Sequence, residues 1–193
     1  MAERPWGFWT ERKLDMLSAY LPAFTTASKK AQSTVYLDLF AGQATNISRD
    51  TGRPIEGSLL RAVQTKPPFT VVRGFELRQE RAQSLQGAFR AEFPHRDVVV
   101  HAGEVHDALQ SALAALVPYR WSPTFAFIDP EGVEARWELL EALAAHKAPR
   151  QTKVEPFLLP ASPQIVRVVN DSLNPHDQKH AEQQVTRLFG STA

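Results

Sequence analysis

Four short segments of this 193-residue chain combine the residue types that bind and position a small ligand. The first is Asp38-Leu39-Phe40-Ala41-Gly42, continued by Gln43-Ala44-Thr45-Asn46. It ends an apolar, β-branched run, and Gly42 permits a tight turn that brings bare backbone amides to a ligand. The full GxGxxG pattern is absent, so an ordinary strand-to-helix turn is the plain alternative. The second is Glu76-Leu77. An acid in this position can accept hydrogen bonds from both hydroxyls of a ribose. Glu76 stands 34 residues after Gly42, against about 20 in dinucleotide sites; the polar loop at 43–57 accounts for the excess. The third, His101-Ala102-Gly103-Glu104, offers an acid that can read an adenine amino group. For Glu76 and Glu104 the plain alternative is a solvated carboxylate at a helix start, where the dipole favours it. The fourth is Ile128-Asp129-Pro130-Glu131-Gly132. A carboxylate and a prolyl carbonyl there can hold an acceptor N–H₂ group. A turn shaped by its proline is the alternative.

Other chemistries find less support. His176 and His180 are spaced i, i+4 with Asp177 beside the first, as in zinc-binding helices. No third ligand stands nearby and no Glu takes the base position, so a polar helix face is the expectation, with no metal. The chain has no cysteine, which excludes disulfides, zinc–thiolate sites and iron–sulfur clusters within it. It has no Walker loop and no nucleophile-elbow serine.

The elements that must carry these segments follow from periodicity. A helix is expected from Thr10, with Leu14, Leu17 and Leu21 on one face, ended or kinked by Pro22. Strands are expected at 34–40, 70–76, 97–101, 124–129 and 154–159. Helices are expected from Ser58 to Gln64, Arg78 to Phe93, His106 to Val117, Arg136 to His146 and His176 to Phe189. Strands alternating with helices predict an α/β fold, a mostly parallel sheet with helices on both faces. Ligands then gather at the carboxyl ends of the strands, where the four segments fall. Residues 1–33 read as a helical extension and 34–193 as the α/β domain. Apolar residues make up 43% and charged residues 22%, the proportions of a globular chain. The net charge of +1 argues against an autonomous high-affinity DNA binder. The start lacks a signal-peptide pattern and no apolar run is long enough to span a bilayer, so the expectation is a cytoplasmic protein without a membrane partner.

In DLFAG (38–42), TGRPIEGS (51–58) and FAFIDPEG (125–132) the chain resembles the three-Cys-motif partner protein family. The opening PWGFWTERKLDML, the FE at 75–76 and TKVEPFLLP (152–160) extend the likeness over nearly the whole chain. The resemblance implies a Rossmann-like fold of S-adenosylmethionine-dependent methyltransferases. It implies that Asp38, Phe40, Ala41, Gly42, Asn46, Glu76, Leu77, Gly103 and Glu104 bind S-adenosylmethionine. It matches the Asp129 position and implies a radical-SAM-like companion with a three-cysteine motif as partner; the Asp129-Pro130 pair itself, set at the methyl acceptor, makes a nucleic-acid base the preferred acceptor class. Amino-group methyltransferases use an Asp/Asn-Pro-Pro-aromatic turn; here Glu131 and Gly132 replace the second proline and the aromatic. Ala44 stands at the second glycine of the family's GxGxN, where its Cβ is expected to crowd the methionine end of the cofactor. Gly103-Glu104-Val105-His106 replaces the usual Gly-Asp-x-Asn. Five strands instead of seven predict a C-terminally shortened sheet whose fifth strand is an exposed edge, from truncation or to be covered by a partner. A non-catalytic, methyltransferase-like binding protein is therefore the alternative function. A nucleotide-dependent oxidoreductase is a more distant third.

Overall fold

The structure, a computed structural model, describes residues 5–147, 153–172 and 178–190. A first helix, α1 (Phe8–Ala27), is followed by strand β1 (Val35–Asp38), a hairpin of β2 (Thr45–Ile47) and β3 (Pro54–Glu56), and helix α2 (Ser58–Gln64). Then come β4 (Val71–Glu76), α3 (Gln79–Glu92), β5 (Asp97–Ala102), α4 (Val105–Ala115) and a 3-10 turn at Val117–Tyr119. The chain continues through β6 (Thr124–Ile128), α5 (Trp137–His146), β7 (Glu155–Leu158), α6 (Ser162–Ser172) and α7 (Gln178–Phe189).

Five strands form one parallel sheet in the order β5-β4-β1-β6-β7. Counted in chain order this is 3-2-1-4-5, the order of a doubly wound sheet. Two core clusters mark its two faces. On one, Leu17, Leu21 and Phe24 of α1, Leu59 and Val63 of α2, and Leu85 and Phe89 of α3 pack on Tyr36, Val72, Phe125 and Phe127. On the other, Leu109 and Leu113 of α4 and Leu139 and Leu143 of α5 pack on Val35, Leu37, Val71, Phe75, Ala126 and Ile128. Strands buried on both sides must be apolar throughout rather than alternating, which is why β1 and β6 read as continuous apolar runs. Gly74 lets α2 lie close: a Cβ there would come within 2.6 Å of Leu59 Cδ2. The chain leaves β1 toward β4 on one side and returns to β6 on the other. The carboxyl ends of β1 and β6 therefore flank the point where the winding reverses, the usual place for a ligand.

Three local expectations need correction. The helix does not end at Pro22 but runs on to Ala27. An interior proline costs roughly 3 kcal/mol; burying Leu21 and Phe24, each worth about 1.5–3 kcal/mol, offsets it. The loop at 43–57 contains the antiparallel β2–β3 hairpin, closed by Ser48 N–H to Arg53 O (2.7 Å), with Gly52 at φ +68°. A further helix, α6, precedes the last one. Its β-branched Ile165, Val166, Val168 and Val169 have low helix propensity and concealed it.

The edge expectation matches the observed order, with β7 outermost next to β6. Leu159 N–H donates to Ile128 O (2.9 Å), so by alternation residues 155 and 157 also face β6 while 156 and 158 face outward. Position 156 is proline, placed where its missing N–H is not needed. At the opposite end of the sheet from the strand carboxyl ends, Lys147 is buried and donates to Ser122 O and to Thr124 Oγ1 (2.7 Å). Burial brings its ammonium down to about 8. No helix among the described residues is long and apolar enough to cross a membrane.

Candidate functional site

The site is built where β1 and β6 end. Asp38 is the last residue of β1, paired in register with Gly74 on one side and Phe127 on the other. The chain keeps hydrogen bonding as it leaves the strand: Leu39 N–H donates to Phe127 O (3.0 Å) and Ala41 N–H to Phe75 O (2.8 Å). These bonds carry it to Gly42, which turns at φ +59° with open space around its missing Cβ. Ala41 is buried in the first core cluster and Phe40 packs against the second. Both thus offer a ligand their backbone rather than their side chains.

Asp38 is completely buried. Its Oδ2 accepts from the Tyr36 hydroxyl at 3.3 Å, while Oδ1 has no hydrogen-bond partner among the described residues. Burial pushes this carboxyl up to about 7. The Ser58 hydroxyl, the Phe40 amide and the Tyr36 hydroxyl pull it back down, and the nearby charge of Asp129 adds to the rise.

Asp129 follows β6 and is the second carboxylate of the site. Its Oδ1 lies 2.5 Å from the Nζ of Lys13, which projects from α1. Burial raises the Asp129 carboxyl, the Lys13 hydrogen bond and charge lower it, and Glu131 raises it again; the net direction is up. Pro130 is buried behind it. Two carboxyl groups thus lie close enough where the winding reverses to feel each other's charge, and the Lys13 ammonium pairs with Asp129. Lys13 was not among the residues expected from sequence. It lies 116 positions from Asp129 on a helix whose apolar spacing pointed only to packing.

Next to the Asp38 turn along the carboxyl edge lie the ends of β4 and β5. Glu76, 6% exposed, ends β4; its Oε1 accepts from Arg78 N–H at 2.8 Å, which holds the carboxylate at the start of α3. Leu77 beside it is 65% exposed. Gly103 turns at φ +111° and donates its N–H to Glu76 O (3.0 Å), fastening the ends of β4 and β5 together. Glu104 caps α4 without a side-chain hydrogen bond to the helix. Asn46 stands apart from the turn: it lies on β2, paired with Ile55, and its Oδ1 accepts from Ile47 N–H at 2.7 Å. Ala44, at the position of the family's second glycine, is partly buried and packs against the first core cluster. Gly57 comes close beneath: a Cβ there would stand 2.1 Å from Gln43 O.

The described residues contain no group of three or more His, Asp and Glu able to hold a metal. His176 and Asp177 lie outside the described residues, and His180 Nε2 lies 2.8 Å from Gln184 Nε2.

No protein-family model matches the chain. No curated protein matches it either. Among solved structures it is similar to a crystal structure of a protein from Legionella pneumophila str. Philadelphia 1, of the family DUF519, at 18% identity and a TM-score of 0.49. The match covers 71% of this chain and 63% of that one, so this chain spans less than two thirds of that protein's length.

What the site can do follows from its own geometry. A buried carboxylate oxygen without a partner accepts a hydrogen bond from a cationic group. A bare glycine turn admits a ligand against the backbone. An immobilised acid at the second strand end suits a diol.

Proposed function

We propose that the chain binds S-adenosylmethionine along the carboxyl edge of the sheet and presents an amino-group acceptor at Asp129 for methylation. The observation that carries this reading is the Oδ1 of buried Asp38, without a partner among the described residues, near the open turn at Gly42. An aminoacyl ammonium or a sulfonium is the kind of group that relieves such a carboxylate. The residues fit the cofactor: Asp38 and the backbone of Phe40 to Gly42 for its methionine end, Glu76 for the ribose, and Leu77, Gly103 and Glu104 around the adenine. When bound, the cofactor supplies an electrophilic methyl group on a positively charged sulfur. The protein's task is then alignment and exclusion of water. Asp129, with the Pro130 carbonyl, accepts hydrogen bonds from the acceptor N–H₂ and can receive its proton. Lys13 orients the carboxylate.

Calorimetric titration with S-adenosylmethionine tests the reading. Wild type is expected to bind in the micromolar range and Glu76→Ala to lose at least tenfold in affinity, whereas Asp129→Ala should keep the cofactor and abolish turnover. Absence of heat and of any thermal shift at millimolar cofactor would overturn it. That result would favour the second reading, a non-catalytic partner of a three-Cys-motif companion. The observation on its side is the outermost strand β7, which ends on an exposed Leu158.

A further inference from the structure

The Asp129 turn continues with Glu131 and Gly132, so the turn brings no ring to the acceptor. A ring is available from α1. This helix begins beyond the carboxyl end of β6, where Lys13 meets Asp129. Its far end reaches the amino end of the sheet, where Phe24 stacks on Phe69 just before β4. Lys13 is therefore level with Asp129. Trp9, four residues earlier, stands about 6 Å farther out along the axis on the same flank. Trp9 is 72% exposed. The backbone that carries it is fixed: Phe8 N–H donates to Asp50 Oδ2 (2.9 Å), Trp6 N–H to Ile47 O (3.0 Å) and Arg49 N–H to Trp6 O (2.7 Å). The hairpin thus pins the helix start, and with it an exposed indole one turn beyond Lys13.

We infer that Trp9 is a specificity-determining residue that stacks on a nucleobase whose exocyclic amino group is held at Asp129. The inference rests on the reading of Asp129 as the acceptor-binding group. A base inside a duplex cannot present its amino group in this way, so the substrate is a single-stranded or flipped nucleotide.

Binding of short labelled oligo(dA), oligo(dC) and oligo(dT), followed by fluorescence anisotropy at fixed salt, tests the inference. Oligo(dA) or oligo(dC) should bind more tightly than oligo(dT), which has no exocyclic amine. Trp9→Ala should weaken binding about 5- to 100-fold, the scale of one lost stack, while Trp9→Phe stays close to wild type. Affinity for S-adenosylmethionine should be the same in all three proteins. Unchanged oligonucleotide binding in Trp9→Ala would overturn the inference, as would no binding by wild type or equal binding of oligo(dT). Joint loss of cofactor and oligonucleotide binding in Trp9→Ala would make the residue structural and also overturn it. If wild type binds oligonucleotide in a Trp9-dependent manner but no cofactor, the stacking role stands and methyl transfer falls.

Discussion

Asp38 keeps a carboxyl group fully out of water, with one oxygen unanswered among the described residues. Its folded-state value of about 7 lies above the ordinary carboxylate value of about 4. Between those limits the folded form holds a proton that the unfolded form has released. The contribution of Asp38 to stability is thus complete below pH ~4 and is lost as pH rises through 7. Asp38→Asn removes that penalty. In urea unfolding at pH 8 the variant should be more stable than wild type by about 1–3 kcal/mol, with the gap closing toward pH 5. A gap that does not change with pH would show that the carboxylate is not strained. The same substitution should weaken S-adenosylmethionine binding, because the charge that attracts the cation is gone. The placement of Asp38, Gly42, Glu76 and Asp129 at strand ends was legible in sequence because each closes or follows an apolar run that reads as a strand. Lys13 was not: only the packing of α1 across the sheet brings it to Asp129.

Among the elements, α1 departs most from local rules. Proline at position 22 cannot donate to the carbonyl four residues back, yet the helix passes through it because its buried face outweighs the loss. Pro22→Ala restores a donor facing the Ser18 carbonyl. It should raise stability by about 1–3 kcal/mol, read as a rise of several degrees in the melting temperature. No change would mean that the carbonyl has already found another donor. Periodicity located every strand of the parallel sheet, because strands buried on both faces carry dense apolar runs. It missed the β2–β3 hairpin because those strands have three residues each and bury only Ile55 between them. Short, polar strands leave no period to detect. Yet this hairpin anchors the start of α1, and through it Lys13 and Trp9.

At the scale of the molecule, strand order decides where chemistry can occur. The reversal between β1 and β6 brings together residues from α1, β1 and β6 that no local pattern connects. The five strands of the parallel sheet were legible in sequence, whereas the two helices that follow β7 were not both apparent. The outermost strand has one more consequence. A strand arriving alongside β7 would meet a single outward amide, that of residue 158, because position 156 has none to give. Strand-by-strand growth between copies of the chain is therefore interrupted at its first rung. Pro156→Val would supply the second rung, and concentrated samples of that variant should form thioflavin-binding aggregates within the time that wild type stays clear in light scattering. If both stay clear, the barrier lies elsewhere on that edge. On this account the proline is what keeps the outermost strand from serving as a template for fibrils.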